Sequence, residues 1–212
     1  AGLLRNRAAA FENFDLPVEH ERGLSRHDHH FYIGEAVLTL QPGVWSGIVA
    51  SLHEAADLDL DAAQRRFFFF YISLLTQAEA PAPELRGAPD WVRQLVLAAD
   101  SFLGARPLPD LPDGESVIAG YPWFGDWGRD TMIALPGLTL ATSRSDTARR
   151  ILLTFTRFID KGMLPNLFPS SGEPLAYNTV DAALWYVEAW RAYLETSADS
   201  KTLAEVFPML QE

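Results

Sequence analysis

The ten residues "YPWFGDWGRD", Tyr121 to Asp130, set four aromatic rings beside two carboxylates and a guanidinium. Rings next to charges that must stay hydrated make a poor core segment, and exposed tryptophan makes a costly surface. A pyranose ring needs that combination, because its C–H faces stack on flat apolar surfaces while its hydroxyls donate to carboxylates. Tyr121, Trp123, Phe124 and Trp127 supply faces, Asp126 and Asp130 supply acceptors, and Arg129 can pair with either acid or hold a hydroxyl. A plainer reading stays open, in which Asp130 begins a helix and serves only its dipole.

A second set lies in "TVDAALWYVEAWRAYLETS", residues 179–197. At helical spacing, Val180, Ala183, Leu184, Val187, Trp190 and Leu194 form one broad apolar stripe for packing. Asn178, Asp181, Trp185 and Glu188 recur three or four residues apart on a neighbouring face. Two acids with a tryptophan between them suit a groove that grips a polar ring. The plainer reading makes Asp181 a helix-start acid and Trp185 a core residue.

Other chemistries find less support. "HDHH", His27 to His30, offers imidazoles, but neighbours in a run rarely converge on one ion, so an interface or solvated edge is expected instead of a metal site. No glycine-rich phosphate loop follows a strand and no Gly-x-Ser-x-Gly elbow is present. The chain has no cysteine, which removes thiolate ligands, thiol nucleophiles and disulfides. Seventeen basic against twenty-eight acidic residues give a net charge of −11, which argues against nucleic acid or an anionic membrane as partner. No window reaches the roughly 18 apolar residues of a membrane span.

The elements that must position these residues follow from texture. Residues 1–76 are rich in aromatic and β-branched residues, and "HHFYIGEAVLTL" and "RRFFFFYISLL" read as strands, with a helical segment between them near "IVASLHEAADLDLDAAQ". Residues 77–89, with Pro81, Pro83 and Pro89, read as a linker. From residue 90 to 212 the pattern is helical. Asp90 caps a first helix with Trp91, Leu95, Ala98 and Phe102 on one side, and residues 104–128 read as a long loop. "RDTMIALPGLTLATS" reads as a helix interrupted at Pro136-Gly137. Ser145 caps the next helix, whose apolar face is Ile151, Phe155, Phe158 and Ile159 and which Gly162 terminates. Long and short loops alternate, the rhythm of helical hairpins packed side by side with long loops at one end. The chain begins "AGLLRNRAAA" without methionine, and "SKTLAEVFPMLQE", with Ser200 as N-cap, stops after one short helix; the expectation is a piece of a longer polypeptide.

"AGYPWFGDWGRDTMIALPGLTL" followed by "GMLPNLFPSSGEPLAYNTVDAALWYVEAW" resembles the glucosidase region of glycogen-debranching enzymes (amylo-α-1,6-glucosidases) of bacterial or archaeal type, over residues 90–212. Residues 1–76 resemble the end of the β-rich amino-terminal domain that such proteins carry. The resemblance implies a mainly α fold, part of an (α/α)6 toroid, and the helices read here are too few to close one. It implies a cytoplasmic glycoside hydrolase without cofactor or metal, taking a branched α-glucan or maltooligosaccharide and releasing glucose from α-1,6 branch points with inversion. Inversion places two carboxyls about 6.5–9.5 Å apart, one donating a proton and one activating water. By the resemblance Asp181 is the general acid, and Asp126, Arg129 and Asp130 hold hydroxyls. Trp123, Trp127 and Trp185 are then stacking walls, with Tyr121 of the same motif beside them and Asn166, Tyr177 and Asn178 on the rim. The base is expected beyond Glu212, so the segment alone would bind weakly and hydrolyse nothing. Other toroid α-glucosidases, a non-catalytic carbohydrate-binding protein and a helical interaction module remain alternatives.

One tension is physical. A helix N-terminus lowers a carboxyl pKa, whereas a proton donor needs it raised. Burial against Trp185, or repulsion from Glu188 or Asp130, must win for Asp181 to serve. An Asp181 that is exposed and ion-paired would pass the role to Asp130.

Overall fold

The structure is a computed structural model and describes residues 2–51, 55–121, 124–168 and 174–211. Trp123 lies outside the described residues. Among the described residues the chain is mainly helical, with one two-stranded ribbon and one three-stranded sheet. It divides into two compact units, residues 1–64 and 65–212.

In the first unit β1 (Gly2–Asp15) pairs antiparallel with β2 (His27–Leu38), and the short helix α1 (Pro17–Glu21) lies in the connection. β2 is the strand expected from "HHFYIGEAVLTL". It buries little, since Phe31 and Ile33 are exposed. The histidines of "HDHH" form its first turn of pairing: the His30 ring stacks on Phe14 with centroids 4.4 Å apart, and His29 Nδ1 accepts the Asn13 N–H at 3.3 Å.

Helix α2 (Leu60–Glu79) corrects the strand expected over "RRFFFFYISLL". Asp59 starts it by accepting the Ala62 N–H on Oδ1 at 2.8 Å. The four phenylalanines favour a strand locally, but they are flanked by Ala62, Ala63, Gln64, Leu74, Leu75 and Gln77, and helix propagation carries through a short unfavourable run. Phe67 to Phe70 remain exposed, and only Leu74 and Ala78 of this helix are buried. The helix expected near residue 48 therefore begins later, and the composition boundary at 76/77 falls inside α2. The stretch expected to be a linker holds the end of α2 and a 3-10 turn, Pro83–Gly87.

Helix α3 (Asp90–Ser101) has Asp90 as its first residue, with Pro89 in the cap position and no side-chain cap. Trp91 and Leu95, expected on its packing side, are exposed, and Ala99 is its buried residue. The long loop expected over 104–128 is replaced by an antiparallel sheet, β3 (Leu103–Ala105), β4 (Glu115–Gly120) and β5 (Phe124–Asp126), in that order. Two of these strands have three residues each, too short to show a period in sequence.

Helix α4 (Gly128–Leu138) contains Pro136 near its end and passes into a 3-10 turn, Leu140–Thr142. Proline lacks the N–H that would continue the ladder, so the helix stops two residues later. Helix α5 (Ser145–Thr156) has Arg144 in the cap position, not Ser145, and ends before Phe158 and Ile159, which still pack against the core. Helices α6 (Asp181–Ser197) and α7 (Ser200–Leu210) complete the unit, and Asp199, one residue before Ser200, is the cap of α7.

The core joins Met132 and Leu135 of α4, Ile151, Leu152 and Phe155 of α5, Tyr186 and Trp190 of α6 and Val206 of α7. Burying each such side chain is worth roughly 1.5–3 kcal/mol. The apolar stripe expected on α6 is only partly the buried one. Trp190 is buried, but Val180, Leu184 and Val187 are exposed, and Ala182, Tyr186, Ala189 and Tyr193 form the packed face. Two alanines let neighbouring backbones approach, and the Tyr186 hydroxyl is satisfied by Leu152 C=O at 3.0 Å and by Thr156 Oγ1. Tyrosine turned inward once its hydroxyl had partners, which hydropathy does not register.

Candidate functional site: the starts of α4 and α6

Strand β5 runs directly into α4 through Trp127. Gly128 is buried, and a Cβ there would overlap the carbonyl oxygen of Pro165, so the glycine permits close backbone approach. The approaching segment caps the helix from outside. Asn166 accepts the Gly128 N–H on its backbone oxygen at 2.9 Å and the Arg129 N–H on its side-chain Oδ1 at 3.3 Å. Two of the four N–H groups that every helix start leaves without intrahelical partners are thus satisfied in trans. Asn166 is only 3% exposed and its own N–H reaches Ala176 C=O at 2.8 Å. Bridges from Trp127 to Leu167 and from Leu167 to Ala176 tie three segments together beside the start of α4.

From this platform the Arg129 side chain reaches α6, where its Nη1 stands 3.5 Å from Asp181 Oδ2. The two side chains are 42% and 47% exposed. Asp181 is the first residue of α6; Val180 occupies the cap position without a side-chain cap, and the buried Thr179 Oγ1 just before it has no hydrogen-bond partner. Asp130 is exposed in the first turn of α4. Trp185 is 40% exposed, one turn beyond Asp181. Trp127 is half-buried with Phe124 edge-on to it at 6.2 Å, and Asn178 is exposed. The Tyr177 hydroxyl donates to Phe158 C=O at 2.8 Å, and burial, with the charge of Asp160 adding to it, raises its pKa.

Two residues of the aromatic-acidic motif point elsewhere. The Tyr121 hydroxyl donates to Ser101 C=O at the end of α3, and its ring leans on Phe102. Asp126 is buried; its Oδ2 is ion-paired with Arg106, whose Nη1 stands 2.7 Å away, and accepts from Ser116 Oγ at 2.9 Å. Arg106 and Ser116 carry no sequence signal for this contact, because neither their spacing from Asp126 nor their composition is periodic. Glu188, expected beside Asp181, instead gives both oxygens to Arg191, at 2.7 and 2.8 Å, which lowers its pKa.

The fold and this geometry define a mainly helical domain with a carboxylate–guanidinium pair exposed where two helix starts meet. Comparison with known proteins gives the class a family. Residues 97–212 match the family described as amylo-alpha-1,6-glucosidase, and the chain belongs to that family, a family of glycoside hydrolases. Over 123 residues the chain is 34% identical to the glycogen debranching enzyme of Saccharomyces cerevisiae, covering 54% of this chain and 8% of that protein.

Proposed function

We propose that residues 90–212 form the amino-terminal part of an (α/α)6 toroid that releases glucose from α-1,6 branch points of glycogen or limit dextrin, with the ribbon-bearing residues 1–64 ending a preceding domain. The observation that carries the reading is the meeting of Arg129 and Asp181, one from each motif, at clustered helix starts. Hydroxyls of a terminal glucose are held by Arg129 and Asp130, and Trp127 and Trp185 provide apolar faces. Asn166 contributes by fixing the Arg129 backbone, and Asp126 by anchoring β5. In an inverting mechanism Asp181 protonates the leaving oxygen, and the base that activates water is supplied from further along a longer polypeptide.

A second reading of the donor has an observation behind it. Asp181 is half-exposed and touches Arg129, the exposed and ion-paired arrangement that would pass the role to Asp130. Against that, a single 3.5 Å contact between half-exposed groups is long and loosely held, and an exposed pair of that kind is worth little. A glucosyl group that engages Arg129 and covers Trp185 would free the carboxyl and dry it. Asp181 therefore remains the proposed donor.

Full-length protein incubated with branched limit dextrin, maltose and trehalose tests the activity. Glucose from the branched substrate alone is expected. Release from maltose or trehalose would assign another toroid glucosidase, and binding of maltooligosaccharide without any release would assign a carbohydrate-binding protein.

A further inference from the structure

We propose that Arg106 is a positioning residue for this site, acting through the junction of β5 and α4 without touching substrate. The inference rests on the functional reading above for its consequence, and on geometry for its mechanism. Strand β5 has three residues and pairs with β4 at two positions, Ile118 with Asp126 and Gly120 with Phe124. So short a strand is not held rigidly by its ladder alone, yet it sets where Trp127, Gly128 and Arg129 begin.

Arg106 adds two constraints to those that Ser116 and the Phe168 N–H already supply. Its Nη1 grips the Asp126 carboxylate at 2.7 Å, in a setting where the acid is 12% and the arginine 28% exposed. Its guanidinium also lies over the Phe168 ring, 4.7 Å from the centroid. Phe168 follows Asn166 by two residues and donates its N–H to the Asp126 carbonyl at 3.4 Å. One guanidinium therefore touches both the strand that leads into α4 and the segment whose Asn166 caps α4. Its Nε is buried without a hydrogen-bond partner, an unfavourable arrangement that the ion pair and the ring must offset. Lysine cannot replace it fully, because a compact ammonium can meet the carboxylate but has no planar face for the ring.

The test uses the full-length protein with Arg106→Gln, Arg106→Lys and Arg129→Gln. Amide exchange in a peptide spanning 124–132 is expected to quicken about tenfold in Arg106→Gln while peptides from α5 and α6 hold their rates, as for a local opening. Maltooligosaccharide affinity is expected to fall about tenfold, with no further fall when Arg129→Gln is already present, since residues that act through one backbone shift couple and independent ones add. Arg106→Lys, which keeps the charge, should recover part of both effects and guards against a variant that fails to fold. Unchanged exchange over 124–132, or losses of affinity that simply add, overturns the proposal. Quickened exchange in a protein that binds no maltooligosaccharide at all upholds the positioning role and sinks the sugar reading instead.

Discussion

The starts of α6 and α7 each carry an aspartate, and the two could hardly be treated more differently. Asp199 caps α7 with both oxygens engaged: Oδ1 takes the Thr202 N–H at 3.1 Å, and Oδ2 takes the Thr202 and Tyr193 hydroxyls at 2.5 and 2.7 Å. Those bonds, the Thr202 hydroxyl first, hold its pKa at about 2. Asp181 sits one position further into its helix, with one 3.5 Å contact and nearly half its side chain exposed. An acid at a helix start is structural when its oxygens are consumed there and available for chemistry when they are not. The plain reading of Asp181 as a helix-start acid describes what Asp199 does and leaves Asp181 under-used.

The largest expected effect follows from that contrast. Asp181→Asn in the full-length protein should lower kcat on limit dextrin by about 10²–10⁴, the range for loss of a general acid. Asp199→Asn should leave kcat within a factor of about two, and Asp130→Asn should act mainly through KM as a lost hydroxyl contact. If Asp130→Asn removes turnover while Asp181→Asn spares it, the donor is Asp130 and the ion pair with Arg129 is the resting state of a binding residue.

The start of α4 allows a second test, since it is capped from outside and not by its own residue. Gly128→Ala must displace the Pro165 carbonyl. A loss of about 1–3 kcal/mol in folding stability is expected, measured by urea unfolding, as for other overpacked buried positions. Ala at Gly125, where a Cβ meets nothing within 4 Å, is the control and should be nearly silent. Equal effects at both glycines would mean that the close approach of the 163–168 segment does not constrain α4.

Sequence made some of this visible and hid the rest for definite reasons. Helix α5 was legible because Ile151 and Phe155 recur at helical spacing and are fully buried. The two motifs that supply Arg129 and Asp181 were legible as motifs, although their contact across 52 residues was not. Helix α2 was hidden by four phenylalanines whose local preference lost to their flanks. The packed face of α6 differs from the stripe that helical spacing suggests, because the bonds available to the Tyr186 hydroxyl let that ring turn inward. Asp126 is buried against Arg106 and Ser116, and nothing in the sequence connects it to either. Partners distant in sequence and free of periodicity are visible only once the chain is folded.

A smaller effect tests the structural aspartate. Asp199→Ala removes a cap and should cost about 1 kcal/mol, measured by thermal or urea unfolding. Its pH dependence has a fixed sign. The folded pKa of about 2 lies below the ordinary 3.8, so the contribution is complete above pH 3.8 and is lost as pH falls through about 2. Wild type and variant should therefore converge in stability on acidification, with their difference constant from pH 5 upward. A difference that grows below pH 4 would show that Asp199 is not the bonded anion described.

The smallest expected effect concerns Glu188, on the same helix as Asp181. Its two oxygens are paired with Arg191, which also reaches Glu195 at 2.8 Å, and all three side chains are well exposed. An exposed network of this kind stabilises little, and its charge is already compensated. Glu188→Gln should therefore leave both the unfolding midpoint and the pH profile of turnover where they were. The profile is the sharper measurement, because a donor kept protonated by repulsion would titrate lower once that negative charge is gone. A basic limb that moves to lower pH in Glu188→Gln would assign the tuning of Asp181 to Glu188. An unmoved limb removes Glu188 from the tuning of the donor.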